Sequence, residues 1–158
     1  MKLGEYAAGT IQAAAEVLAH TISMMPAERV EWSPAADPAS ATRCALNQAA
    51  ECIGVNRTMA ALLRGEEPAP RSDERPFADA AGACEQIRAS AAEFSAAVRA
   101  LNEEDWTRKY TTQMGPMPGF RIVQIATGNM YYHFGQVNYI QTLYGDSTFH
   151  LPPAAFAS

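Results

Sequence analysis

Apolar residues recur along this chain at steps of three and four, the spacing that lines one face of an α-helix. Ala7, Ile11, Ala14, Leu18, Ile22 and Met25 make the first such stripe. The second has Cys44, Glu51, Val55, Thr58, Met59 and Leu62 on one side and runs out near Gly65, a natural helix stop. The third is close to a strict heptad: Ala80, Cys84, Ile87, Ala91, Phe94, Val98, Leu101. In the fourth, Gly119 to Tyr144, the residues Ile122, Ala126, Val137, Ile140 and Tyr144 fall within about 40° of His133 at about 100° per residue. No segment shows the period-two alternation of a half-buried strand, so no sheet is expected.

Proline sets the boundaries. The prolines at 26, 34, 38, 68, 70, 76, 116, 118, 152 and 153 leave four long proline-free segments. Asp37-Pro38 reads as an N-cap followed by proline at a first helical position. The expected helices are 4–25, 38–65, 77–102 and 119–144, with a tail over 145–158 that is loose or packed outside through Phe149 and Phe156. The expected fold is therefore all-α, a four-helix bundle filling one domain over 1–158. The loops at 26–38 and 102–118 are long enough for a crossover connection.

Composition narrows the partners. At 158 residues and 48% hydrophobic, the chain has enough apolar side chains for one real core. A net charge of -5 and no basic cluster argue against nucleic acid. The long uncharged stretch Ile122–Tyr144 is interrupted by Gln124, Asn129, His133, Gln136, Asn138 and Gln141, which rules against a membrane span. Glu5 and Glu16 sit wrongly for a signal peptide, and Cys44, Cys52 and Cys84 lack CxxC spacing. They read as reduced, mostly buried thiols in a cytoplasmic protein.

Candidate chemistry lies where polar residues face inward. His133 sits mid-stripe, and Asn129, one turn earlier, shares its sector. Glu51 lies on the apolar side of the second helix, with Asn47 one turn before it. Buried acids and imidazoles need partners, so these groups are expected to meet. Three readings stay open: a structural hydrogen-bond cluster, a divalent-metal site with imidazole and carboxylate ligands, and metal-free acid–base catalysis with Glu51 tuning His133. His20 reads as solvated or at a subunit contact, His150 as incidental, and Cys52 as a buried inert thiol. GxSxG, P-loop, Rossmann and HExxH motifs are all lacking.

The opposite face of the fourth helix carries Gln124, Gly128, Tyr131, Gly135 and Asn138, small or neutral throughout. Helix-interior glycine costs about 1 kcal/mol against alanine, which suggests close approach of another helix. A second copy of the chain, giving a two-fold dimer, or the tail of the same chain would supply it.

The segment YHFGQVNYIQTLYGD resembles the last bundle helix of the DinB-like superfamily, with its His-x-Gly-Gln element. Trp32, ECIGVNRTMAALLRGE and LNEEDW are supporting matches, and the resemblance spans essentially the whole chain. It implies a four-helix bundle of the kind described as metal-dependent hydrolases or transferases. In that family three histidines hold a divalent ion, commonly nickel or zinc: one from the second helix and two from the fourth, four residues apart. His133 matches the last of them; Asn129 stands at the partner position and Glu51 at the second-helix position, with Asn47 as the fallback one turn away. The resemblance thus implies a degenerate site of Glu51, Asn129 and His133. Members with activity include thiol-dependent S-transferases and a thiol-dependent isomerase, which makes a small-molecule thiol the implied partner. A non-catalytic binding or stress-associated protein that has lost the metal is the alternative. Nothing in these residues shows a role in DNA repair.

Overall fold

The computed structural model describes residues 2–34, 43–70, 72 and 74–152. Four helices carry the fold: α1 (Leu3–Ser23), α2 (Ala45–Arg64), α3 (Ala80–Arg99) and α4 (Gly119–Leu143), with a hairpin of β1 (Lys109–Thr112) and β2 (Gly115–Pro118) before α4. The all-α bundle is as the stripes require. Every member of the α1 stripe is buried, as are Cys84, Ile87, Ala91, Phe94 and Val98 of the α3 heptad. In α4, Ile122, Ala126, His133, Val137 and Ile140 are buried, while Tyr144, just past its end, is half-buried.

α1 packs on α3 and α4, and α2 packs on α3 and α4. Two long-range ion pairs set the direction of the first contact: Arg99 Nε meets Glu5 at 3.0 Å, and Arg88 clamps Glu16 with two hydrogen bonds of 2.7 and 3.0 Å. α3 is therefore antiparallel to α1. Gln141 of α4 donates to the Thr21 carbonyl at 3.3 Å, while Tyr6 and Phe120 line one depression, so α4 is parallel to α1. Gln48, early in α2, meets His133, late in α4, so these two helices are antiparallel.

It follows that α2 and α3 run the same way, and the chain must return along the bundle between them. Arg75 records that return, since it bonds Glu31 at 2.7 Å and also reaches Asn47 at the start of α2. The crossover thus lies in the connection after α2, not in the 26–38 or 102–118 loops. Pro68, Pro70 and Pro76 keep that connection out of helix.

α2 departs from expectation at its start and in its face. Asp37 and Pro38 lie outside the described residues; the described helix begins at Ala45, with Cys44 in extended conformation before it. Its end at Gly65, φ 73°, is the expected left-handed stop. The buried side includes Gln48, Cys52, Ile53, Asn56 and Met59, which places Glu51 on its border.

The hairpin is a second departure. Tyr110 pairs with Met117 and Thr112 with Gly115 across a two-residue loop, Gln113-Met114. Thr112 Oγ1 closes the turn by donating to the Gly115 carbonyl at 2.7 Å, and Gly115 takes φ 96°. Two four-residue strands, the second broken by Pro116 and Pro118, carry no usable alternation, and the pair is secured by burial of Tyr110 against the bundle. Before it, Asp105 and Asn102 exchange hydrogen bonds in a tight turn whose backbone abuts Gly119. In the tail, Phe149 rests on Phe134 with ring centroids 5.8 Å apart, and Phe156 lies outside the described residues. His150 is more than incidental: its carbonyl accepts from Thr21 Oγ1 at 3.1 Å and its ring pairs with Asp146 at 2.7 Å.

Candidate functional site

α2 and α4 bring Glu51 and His133 together. His133 Nε2 stands 3.4 Å from Glu51 Oε1, on a side chain that is 3% exposed. On its other edge, His133 Nδ1 lies 3.1 Å from Gln48 Oε1. The Gln48 amide nitrogen is already committed, donating to the Arg43 carbonyl at 3.1 Å. Its oxygen therefore faces the imidazole, and Nδ1 must carry the proton. In the neutral ring Nε2 is then a bare lone pair, and it faces a carboxylate oxygen. Neither atom can donate to the other.

Arg43 completes the cluster. Its guanidinium pairs with the second oxygen, Glu51 Oε2. Burial holds the His133 pKa below its usual value; the Gln136 side chain opposes the shift and the charge of Arg43 adds to it.

Asn129 is half-buried one turn earlier on α4, and its Oδ1 is buried without a hydrogen-bond partner. Asn47 is exposed and occupied elsewhere: its Oδ1 accepts from Cys44 Sγ at 3.2 Å and from Arg75. Cys52 is fully buried beside the site, and burial pushes its thiol up to about 12, where no nucleophilic thiolate forms at neutral pH.

Gln48 and Arg43 were not singled out from sequence. Gln48 had a signal, since it precedes Cys52 by one helical turn and so shares the buried side of α2. Arg43 had none, because a helix starting at 38 would have carried it on its own surface rather than ahead of the first turn.

A model of the DinB superfamily matches residues 10–137. This chain belongs to the DinB superfamily. A conserved protein of Enterococcus faecalis, known from its crystal structure, aligns with TM-score 0.69 over 90% of this chain and 97% of that one, at 16% identity. At that identity the likeness establishes the fold. No curated protein matches the chain.

The donor set of this DinB-superfamily chain can be tested against a divalent ion on its own chemistry. Among the described residues no group of three or more His, Cys, Asp or Glu is placed to hold a metal. What the site does offer is one imidazole nitrogen beside one carboxylate oxygen, and one turn before His133 on α4 the Oδ1 of Asn129 is, like His133 Nε2, buried and without a hydrogen-bond partner. Acceptors left unpaired in a protein interior call for a donor or a cation. By its chemistry this set could hold an ion only through one nitrogen and oxygens, not as the high-affinity closed site that three imidazoles would make.

Proposed function

We propose that this DinB-superfamily protein binds one divalent cation between α2 and α4 through His133, Glu51 and Asn129, and uses it on a small-molecule thiol. The observation that carries this reading is the meeting of two acceptors, Nε2 of His133 and Oε1 of Glu51, 3.4 Å apart with no proton assigned between them. A bound ion would supply Lewis-acid activation of the thiol. The chain's own residues do the rest. Gln48 holds the imidazole in the tautomer that presents Nε2, Glu51 offers Oε1 as an oxygen donor while its other oxygen pairs with Arg43, and the packed faces of α2 and α4 limit access of water.

Elemental analysis of protein purified without an affinity tag tests this directly. We expect about one equivalent of zinc, nickel or a similar ion, lost in His133→Ala. Asn129→His should raise zinc or nickel affinity in calorimetry, since it adds a second imidazole at four-residue spacing. Metal-free protein in which His133→Ala merely lowers stability would overturn the metal reading and favour a structural cluster in a non-catalytic binding protein.

We also propose that a second copy of the chain covers the α1–α4 face. Its support is the neutrality of that face: α4 carries no charged residue from Ile122 to Leu143. Tyr6, Phe120 and Tyr131 stand exposed along it.

A further inference from the structure

We infer that Arg43 is a tethered cation that competes with a bound divalent ion for Glu51, and so sets the affinity of the α2–α4 site. The inference rests on the metal reading above. Glu51 divides its two oxygens between the two roles: Oε2 meets the Arg43 guanidinium, while Oε1 faces the bare Nε2 of His133.

The charge balance explains the competition. Glu51 and Arg43 cancel, and His133 and Asn129 are neutral donors, so an incoming ion meets no net negative charge. The carboxylate it would need is already held by a fixed positive charge. Arginine does not lose its proton in the accessible pH range, so acidity offers no release. A guanidinium within a few ångströms of the ion opposes it strongly in a partly desolvated site.

The geometry also allows the charge to be removed cleanly. The Arg43 side chain is 50% exposed, against 20% for Glu51, so it can leave for solvent without opening the core. The part of Arg43 that supports the site is its backbone carbonyl, which accepts from Gln48 and thereby orients His133. Substituting the side chain leaves that support in place.

Co²⁺ titrations followed by calorimetry and visible absorption test the inference on the full-length protein, with circular dichroism confirming the fold of each variant. Arg43→Gln should bind Co²⁺ at least about tenfold more tightly than wild type. Arg43→Lys, which keeps the charge, should stay close to wild type. The gain should vanish when Arg43→Gln is combined with Glu51→Gln, because the two groups act through one carboxylate. Wild-type binding that depends on His133 but is unchanged or weakened in Arg43→Gln would overturn the role of Arg43 and leave the metal reading standing. Absence of Co²⁺ binding in both proteins would overturn the two together.

Discussion

His133 is a neutral imidazole held among polar atoms it cannot fully satisfy, and its surroundings give it a pH signature. Burial keeps its pKa below the 6.5 of a free imidazole, and the charged groups at the site are Glu51 and Arg43, paired with each other. The unfolded chain therefore takes up a proton at a pH where the folded chain still resists it. Between those two pKa values the unfolded state binds more protons, so stability rises with pH. The contribution is complete above about 6.5 and is lost as pH falls toward the lower folded value. Urea melts in the presence of a chelator should show stability falling between neutral pH and pH values below that of a free imidazole. His133→Gln, which keeps polar atoms but cannot titrate, should flatten this part of the profile. An unchanged slope in the variant would mean that other groups carry the dependence.

At the scale of the elements, the start of α4 is fixed by close approach rather than by a side-chain cap. Gly119 is buried at the first position of α4, and a Cβ there would lie 2.3 Å from the Asp105 carbonyl oxygen. Its amide donates to the Arg108 carbonyl at 3.1 Å, and the next amide donates to the Trp106 carbonyl at 2.9 Å. The turn before the hairpin and the entry to α4 are thus one backbone contact. Gly119→Ala should cost about 1–3 kcal/mol in urea unfolding by forcing that contact apart, whereas Gly54→Ala, with open space around its Cβ position, should not destabilise. The same distinction shows what the sequence could and could not reveal. The α1 and α3 stripes are readable because every stripe position must be apolar to face the core. The α2 face is blurred, because buried Gln48 and Asn56 replace hydrophobes on it and half-buried Val55 and Leu62 stand off it. The hairpin depends on Tyr110 packing against the bundle, a tertiary effect that four-residue strands do not announce. The meeting of Glu51 and His133 follows from two mid-helix polar residues needing partners. Arg43 enters through the path of the chain ahead of α2, which no periodicity encodes.

The whole molecule carries a net charge of -5, so two copies repel unless they meet through a face free of charge. The α1–α4 side is nearly such a face, and its one lining charge, Glu5, is paired with Arg99. Two shallow depressions of about 350 and 370 Å³ run along it, and Glu5 is the one charged residue among those lining them. Tyr6 is 59% exposed, Phe120 51% and Tyr131 42%. Around Tyr131, Gly128 and Gly135 stand three residues before and four after on the same helix, and beyond the adjoining helix backbone and chain neighbours neither has an atom within 4 Å of its Cβ position. Rings beside gaps suit an isologous contact, in which each copy's Tyr131 enters the space above its partner's glycines. A lipid or nucleic-acid partner would call for lysine or arginine here, and the lining has none. Light scattering after size exclusion should therefore give about twice the chain mass of 17.0 kDa. Tyr131→Asp, which sets a like charge against itself across the two-fold axis, should return the single-chain mass with helical content unchanged. Thr111→Asp, on the exposed side of the hairpin, should leave the dimer intact. A wild-type chain that runs at the single-chain mass across the micromolar range would remove the dimer and leave this face without its proposed occupant.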